Sequence, residues 1–262
     1  MNWTHFYLIR IEFLGFRYHG WQKHPKLRSI QGMMDKTFEF IFQHTDFKTL
    51  GSGRTDAKVS AKDFAFELFC NSEIDTVDLL TQLNKNLPSD IRAKSITEAT
   101  AKFNIIQDSK IKEYHYYFSF GEKSHPFNAP LIRDFGEYLD IEKMQEAANA
   151  FEGMHNFKRY ASKPSANTVF DRDIIHAEIV KNEQITGSFI PENSFVFKVR
   201  AKGFLTYQVR LMMGALVDVG RGVWTIDDLK KSLIASDEPQ IRHIAPSSGL
   251  LLFEVNFDTE NR

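Results

Sequence analysis

Gly51-Ser52-Gly53-Arg54-Thr55-Asp56-Ala57 stands between two segments that are typical of β-strands, Lys48 to Leu50 and Phe64 to Cys70. Glycine adopts the positive φ angles that a tight connection between strands needs. The turn presents an arginine and a carboxylate, and we take Asp56 as the candidate chemical centre. The alternative is an ordinary hairpin whose Arg54 and Asp56 face water. A phosphate-binding P-loop is disfavoured because no Gly-Lys-Ser or Gly-Lys-Thr follows the glycines.

Length and composition limit the fold and the compartment. The chain has 262 residues, 42% of them hydrophobic, and this is close to the size at which one core divides into two domains. The net charge of -1 provides no general attraction to a polyanion, so any nucleic-acid contact must depend on a locally basic face. A single cysteine, Cys70, excludes an internal disulfide. With no recognisable signal peptide or membrane-spanning run, we predict a cytoplasmic protein that does not contact membranes.

The order of predicted strands and helices repeats along the chain. The first set of elements is Phe6 to Phe13, a helix after Ser29, Lys48 to Leu50, Phe64 to Cys70, a helix after Asp75, and Ile91 to Ile96. The second set is Glu113 to Phe120, a helix after Asp140, Arg172 to Val180, Ser194 to Ala201, Phe204 to Val219, a short helix after Thr225, and Leu250 to Phe257. We predict an α+β protein of two ferredoxin-like βαββαβ units with antiparallel sheets, residues 1–105 and 106–262, and an active-site cleft between them.

Two helices in the first set have clear starting signals. Ser29 and Asp75 are residue types that cap helices through a side-chain oxygen. Helical spacing predicts that these helices bury Ile30, Met34, Phe38 and Ile41 in the first and Val77, Leu80, Leu83 and Leu87 in the second.

An aromatic loop and a lone arginine are further candidates for function. The aromatic residues of Gly15 to Gln22 could stack on bases, and the alternative is a loop folded onto its own domain. Arg210 lies within the apolar helix Phe204 to Val219, where a partly desolvated guanidinium needs a carboxylate or a phosphate as partner. The alternative is that Arg210 extends along its own stem to solvent.

Several motifs, in order over nearly the whole chain, resemble the TruA-type tRNA pseudouridine synthases. The matching segments are Tyr18 to Gln22, Ser29 to Gly32, Gly53 to Ala57, Leu83 to Ile91, Lys112 to Tyr116, Phe151 to Phe157, Gly203 to Gly220 and Ser248 to Leu250. The resemblance implies an enzyme that isomerises uridine to pseudouridine in the anticodon stem-loop of tRNA. It also implies a homodimer, with no cofactor and no metal.

The resemblance assigns roles to individual residues. The essential aspartate of the family falls on Asp56, and the helix arginine on Arg210, where a nearby guanidinium would keep the carboxylate ionised. Whether the carboxylate attacks the base or the sugar, or deprotonates C2′, stays open. The residues assigned to substrate binding are Tyr114, which would stack on the target base, Arg54, which would hold the flipped nucleotide open, Gln22, Lys112 and Leu250.

Two positions beside the turn depart from the family. Lys58 and Ser60 stand where the family usually has glycine and histidine. If residue 58 has a positive φ, lysine costs up to about 1 kcal/mol relative to glycine. These departures leave open a non-catalytic RNA-binding or RNA-folding protein on the same scaffold. A structural α+β interaction module, with Asp56 and Arg210 on separate surfaces, also remains open.

Lysines and arginines gather in three predicted loops. They are Arg17, Lys23, Lys26 and Arg28, then Lys58 and Lys62, and then Lys158, Arg159 and Lys163. We expect these loops to bind RNA phosphates, and we expect the acidic residues of 142–152 and 227–238 to lie on outer helices.

Overall fold

The computed structural model describes residues 3–136 and 138–257. Contacts divide the chain into two compact units: unit 1 holds the residues up to Ile111 and the final strand from Leu252, and unit 2 holds Lys112–Leu251. The domains 1–105 and 106–262 stay a prediction, and the compact units differ from them chiefly in where the final strand belongs. That strand joins unit 1 because Val255 packs in one cluster with Leu8 and Ala65.

Unit 1 contains strands and helices in the predicted order. Its elements are β1 (His5–Phe13), α1 (Ile30–Phe42), β2 (Phe47–Gly51), β3 (Ser60–Cys70), α2 (Thr76–Asn86) and β4 (Ile91–Ala99). β1 lies between β4 and β3 and is antiparallel to both, with Ile9 opposite Ile96 on one side and Phe66 on the other. β2 pairs with the far half of β3, from Phe47 opposite Cys70 to Gly51 opposite Phe66. The connection between β2 and β3, which carries Asp56, therefore begins at the Gly51 end of β2, away from Cys70.

Unit 2 contains a second group of antiparallel strands, with two short strands that we did not predict. Its elements are β5 (Ser109–Ser119), β6 (Arg133–Asp134), α3 (Ile141–Asn149), β7 (Gly153–Asn156), β8 (Asp171–Lys181), β9 (Ser194–Ala201), α4 (Gln208–Gly220) and α5 (Ile226–Ser232). The final strand, β10 (Leu250–Phe257), lies mostly in unit 1. The strand order is β5-β9-β8-β7, and β6 adds to β5 in parallel. β6 and β7 were missed because runs of two and four residues are too short to show periodicity. The predicted α+β class is confirmed.

The helix starts agree with the capping signals. The Ser29 side chain accepts a hydrogen bond from Gly32 N, and the Asp75 side chain accepts from Val77 N and Asp78 N. The predicted burial of Val77 is wrong, because 75% of this residue is exposed. The buried face of α2 contains Leu83, as predicted, and Leu79 one helical turn before it, which was not predicted. The α4 helix begins later than predicted, after Tyr207 with a φ of 65°.

Glu67 is a carboxyl group buried within the sheet of unit 1. It lies on β3 opposite Leu8 and is 1% exposed. Its Oε2 accepts a hydrogen bond from Ile105 N at 3.3 Å. Burial raises the pKa of Glu67 from 4.5 to about 7. The hydrogen bond from Ile105 N opposes this rise, Asp108 adds to it, and Lys48 opposes it.

Stability should therefore fall as the pH rises through this interval. The folded state holds the Glu67 proton more tightly than the unfolded chain, so its contribution is complete below pH 4.5 and lost as the pH passes about 7. Urea unfolding at a series of pH values measures this change. Glu67→Gln cannot ionise, so the part of the fall in stability that comes from Glu67 should be missing. An unaltered pH dependence in this variant would contradict the attribution of that fall to Glu67.

Candidate active site

The Asp56 turn is held by backbone hydrogen bonds to the aromatic loop of the same unit. Thr55 O accepts from Trp21 N at 3.3 Å, and Lys58 N donates to Tyr18 O at 2.9 Å. Asp56 itself is partly exposed. The turn is thus attached on both sides of its carboxylate to a second loop, which a simple hairpin would not be.

Two glycines allow the two loops to approach so closely. Gly20 has a φ of 86°, and a Cβ atom there would overlap the carbonyl oxygen of Thr55. At Gly15 a Cβ atom would overlap the carbonyl oxygen of Val59. Neither requirement can be read from the loop's own sequence, because each arises from contact with a distant segment.

The aromatic loop mainly packs onto its own unit. Tyr18 and Trp21 are buried, and the Trp21 ring lies 4.3 Å from the Phe64 ring. The alternative of a loop folded onto its own domain is therefore confirmed for these two rings. The nearby cations have acidic partners: Arg17 pairs with Asp90 at 2.5 Å and Lys23 with Asp35 at 2.9 Å.

The structure brings the predicted site residues of unit 1 onto these two touching loops. Gln22 and Arg54 are both exposed. The Gln22 side chain donates to Gln31 Oε1 at 3.1 Å, and the same oxygen accepts from Lys23 N at 2.9 Å. Gln31 of α1 therefore orients the segment that carries Gln22.

Lys58 adopts the conformation that would favour glycine. Its φ is 68°, and its ammonium group lies 5.5 Å from the centre of the Phe16 ring. From the sequence, the cost of lysine depends on a positive φ at residue 58, and the structure has that positive φ.

Lys58→Gly should raise the free energy of unfolding by up to about 1 kcal/mol. Relief of the left-handed strain outweighs the larger conformational entropy of glycine in the unfolded chain. Denaturant titration measures the difference. The matched control is Lys62→Gly in β3, where glycine should destabilise by about 1 kcal/mol because the strand has no strain to relieve. Equal losses in both variants would contradict the explanation.

Two of the predicted site residues of unit 2, Lys112 and Tyr114, lie on one face of β5. Side chains alternate along a strand, so Lys112, Tyr114 and Tyr116 point to the same face. The Tyr114 ring meets the edge of the Phe204 ring at 5.2 Å and 88°. Burial lowers the pKa of Lys112. The phenol of the buried Tyr116 donates to Pro246 O at 2.6 Å.

Arg210 is held in place by the segment that precedes β10. Its Nε donates to Ala245 O at 2.8 Å, and its guanidinium lies 4.6 Å from the centre of the Tyr207 ring. Gly214, one turn along α4, makes room for the backbone of His243. These contacts give Arg210 a defined position, unlike a side chain that simply extends to solvent.

Leu250 is buried, with 6% exposed. The pairing of Asp56 with Arg210 joins residues of different units and stays a prediction.

The opposite face of β5 carries a charged network that sequence reasoning missed. Glu113 pairs with Arg200 at 2.7 Å, and its other oxygen lies 2.7 Å from Nε2 of the buried His115. Alternation along β5, where Glu113 and His115 are two residues apart, was the available signal. The network joins β5 to β9 and stabilises the sheet that carries Tyr114.

The expected separation of basic loops from acidic residues is wrong at two positions. Lys158 pairs with Asp237 at 3.0 Å, and Arg159 pairs with Glu238 at 2.6 Å. Asp237 and Glu238 lie in the segment after α5 instead of on an outer helix. The two cations are therefore partly neutralised by their own unit.

The described part of the chain shows neither a metal-ligand cluster nor a membrane-spanning helix. Within 3–136 and 138–257, no three His, Cys, Asp or Glu side chains converge as metal ligands would. No helix in these ranges is both long and apolar enough to cross a bilayer.

Comparison with known proteins adds an independent observation. A family model described as tRNA pseudouridine synthase matches residues 147–258. The chain is 31% identical to tRNA pseudouridine synthase A of Limosilactobacillus fermentum, with 97% of each chain covered. It is 34% identical to tRNA pseudouridine synthase A of Thermosipho melanesiensis, covering 96% of this chain and 99% of that relative.

Proposed function

The chain belongs to the tRNA pseudouridine synthase family, and from this premise we propose that it converts uridine to pseudouridine in the anticodon stem-loop of tRNA, with Asp56 as its essential carboxylate. As a member of that family it is an isomerase that acts on tRNA. The anticodon stem-loop and the roles of single residues are the part that we propose.

One observation carries the role of Asp56. The carbonyl of Thr55, the residue before Asp56, is hydrogen-bonded to the aromatic loop, and the N–H of Lys58, two residues after Asp56, is bonded to the same loop. Chemistry at a base requires that the nucleotide leave the helix stack. A carboxylate held on a backbone-anchored turn can then meet C1′ or C6 of the flipped uridine without losing further conformational freedom.

The other residues supply binding in this proposal. Tyr114 stacks on the uracil, and its edge contact with Phe204 leaves the ring orientation defined. Arg210, oriented by Ala245 and Tyr207, keeps the carboxylate of Asp56 ionised. Arg54 and Gln22, both exposed beside the turn, contact the nucleotides around the target. The active form is a homodimer in the cytoplasm.

The test is a map of pseudouridine in total tRNA from cells with and without this gene product. The expected result is that one or more anticodon stem-loop pseudouridines disappear with the gene and return when purified protein is added. Loss confined to another tRNA region would overturn the proposed substrate site. Unchanged tRNA would overturn the activity.

A non-catalytic RNA-binding or RNA-folding protein is the second candidate, favoured by the strained Lys58 beside the turn. It predicts tRNA binding without turnover. Forming a carbon–carbon bond at C5 displaces the hydrogen there, so release of tritium from tRNA labelled at C5 of uridine separates the two functions.

A further inference from the structure

We propose that Asp90 and Tyr18 are positioning residues that hold the Asp56 turn in its reactive place. This inference rests on the proposed function, because it gives Asp56 the role of reacting carboxylate. The side chains of Asp90 and Tyr18 form hydrogen bonds to each other, to Arg17 and to Arg28. The connection runs from the Asp90 carboxylate to the Tyr18 phenol, and from the Tyr18 backbone to Lys58.

Asp90 is the fixed end of this connection. Its side chain is 6% exposed, its Oδ1 accepts from the Tyr18 hydroxyl at 2.6 Å, and its Oδ2 accepts from Arg17 Nη2 at 2.5 Å. Burial by itself would raise the pKa of Asp90, but the bonds from Tyr18 and Arg17 outweigh it and leave that pKa below its ordinary value. Its backbone carbonyl also accepts from Leu14 N at 2.9 Å. Asp90 is therefore an ionised acceptor anchored to the start of the aromatic loop.

Tyr18 connects Asp90 to the turn, because its hydroxyl binds Asp90 and its backbone carbonyl binds Lys58. The residue is 1% exposed, and the Arg28 guanidinium covers its ring at 4.7 Å. Its carbonyl oxygen accepts the N–H of Lys58, the residue that has a φ of 68° two positions after Asp56. A left-handed lysine persists only where its surroundings impose it. The Tyr18 carbonyl is one such restraint.

Ser60 gives the turn a third attachment to the same loop, besides those of Thr55 and Lys58. Its buried hydroxyl accepts the N–H of Gly15 at 2.9 Å. The loop is thus bonded to the turn before Asp56 through Trp21, and after it through Tyr18 and Gly15. Removing the Tyr18 hydroxyl should loosen the middle attachment without breaking the other two.

Such loosening should reduce turnover more than binding. A misplacement of about 1 Å in a reacting group can cost about 10²-fold in rate. RNA affinity depends mainly on phosphate contacts, which these buried groups do not make. We expect Tyr18→Phe and Asp90→Ala to lower kcat by about 10- to 100-fold while KM for tRNA stays within about threefold.

Two variants make the experiment specific. Asp90→Asn keeps an oxygen acceptor for the Tyr18 hydroxyl and should recover most of the kcat lost in Asp90→Ala. Tyr7→Phe is the control, because the buried Tyr7 hydroxyl accepts a hydrogen bond from Ile74 N at 2.9 Å in unit 1, away from the turn. The Tyr18 hydroxyl differs in forming two, one to Asp90 and one from Arg28 Nη2 at 3.1 Å. The Tm loss of Tyr7→Phe should resemble that of Tyr18→Phe, and its kcat should stay at the wild-type value.

Hydrogen exchange provides a readout that does not need turnover. The Lys58 amide should exchange at least about tenfold faster in Tyr18→Phe than in Tyr7→Phe, since the bond from Lys58 N to Tyr18 O weakens only in the former. Equal exchange at Lys58, or equal kcat in the two tyrosine variants, would overturn the positioning role. A wild-type protein that forms no pseudouridine would instead overturn the proposed function, and the exchange result would still decide the positioning role.

Discussion

Asp56→Asn is expected to abolish pseudouridine formation while leaving tRNA affinity nearly unchanged. Asparagine has almost the same shape as aspartate and removes no cation, so phosphate contacts persist. The variant loses the negative charge that serves as base or nucleophile, and we expect a fall in the single-turnover rate of at least about 10²- to 10⁴-fold. Tritium release from C5-labelled tRNA at saturating enzyme measures the rate, and filter binding measures the affinity.

The control for Asp56→Asn is Asp75→Asn in the same unit. Asp75 caps α2 by accepting from Val77 N and Asp78 N, and asparagine caps helices about as well as aspartate. This variant should keep both rate and affinity. Turnover that persists in Asp56→Asn would show that another group carries the chemistry, and a parallel loss of affinity would show that Asp56 has a structural part in binding.

Gly20→Ala is expected to have the largest effect on stability. Alanine at a φ of 86° is strained, and its Cβ atom would overlap the carbonyl oxygen of Thr55, so the aromatic loop or the Asp56 turn must move. Conformational strain and overpacking together should lower the free energy of unfolding by about 2–5 kcal/mol. The single-turnover rate should fall as well, because the displaced backbone precedes Asp56. Denaturant unfolding and the tritium assay measure the two effects.

Gly121→Ala separates the two causes of that loss. Gly121 has a φ of 94°, but no atom lies within 4 Å of where a Cβ would be placed. Alanine there should cost only the conformational part, about 1–2 kcal/mol, with an unchanged rate. If both alanine variants lost the same stability and kept full activity, the close contact between Gly20 and the turn would contribute neither to stability nor to the reaction rate.

Much of the local structure was predictable because its causes are local. A capping side chain bonds to an N–H two or three residues away, so Ser29 and Asp75 mark their helices without reference to the rest of the chain. Strand alternation likewise places the β9 strand at Ser194–Ala201 and the final strand at Leu250–Phe257, as predicted. The family resemblance pointed to Asp56 through a short motif that contains its own turn residues.

The arrangement around Asp56 depends on contacts between residues far apart in the chain. The sequence alone determined that a turn presents a carboxylate between two strands, because glycine and polar residues interrupt the two strand patterns there. The positive φ expected of the turn glycines is not found at Gly51 or Gly53, and the connection has one at Lys58 instead. Only the tertiary structure decided that Gly20 lies on Thr55, that Tyr18 holds Lys58, and that Lys158 has Asp237 as its partner. Such pairings depend on how whole elements pack. Local periodicity and propensity do not specify which distant segment of backbone will lie beside a given residue.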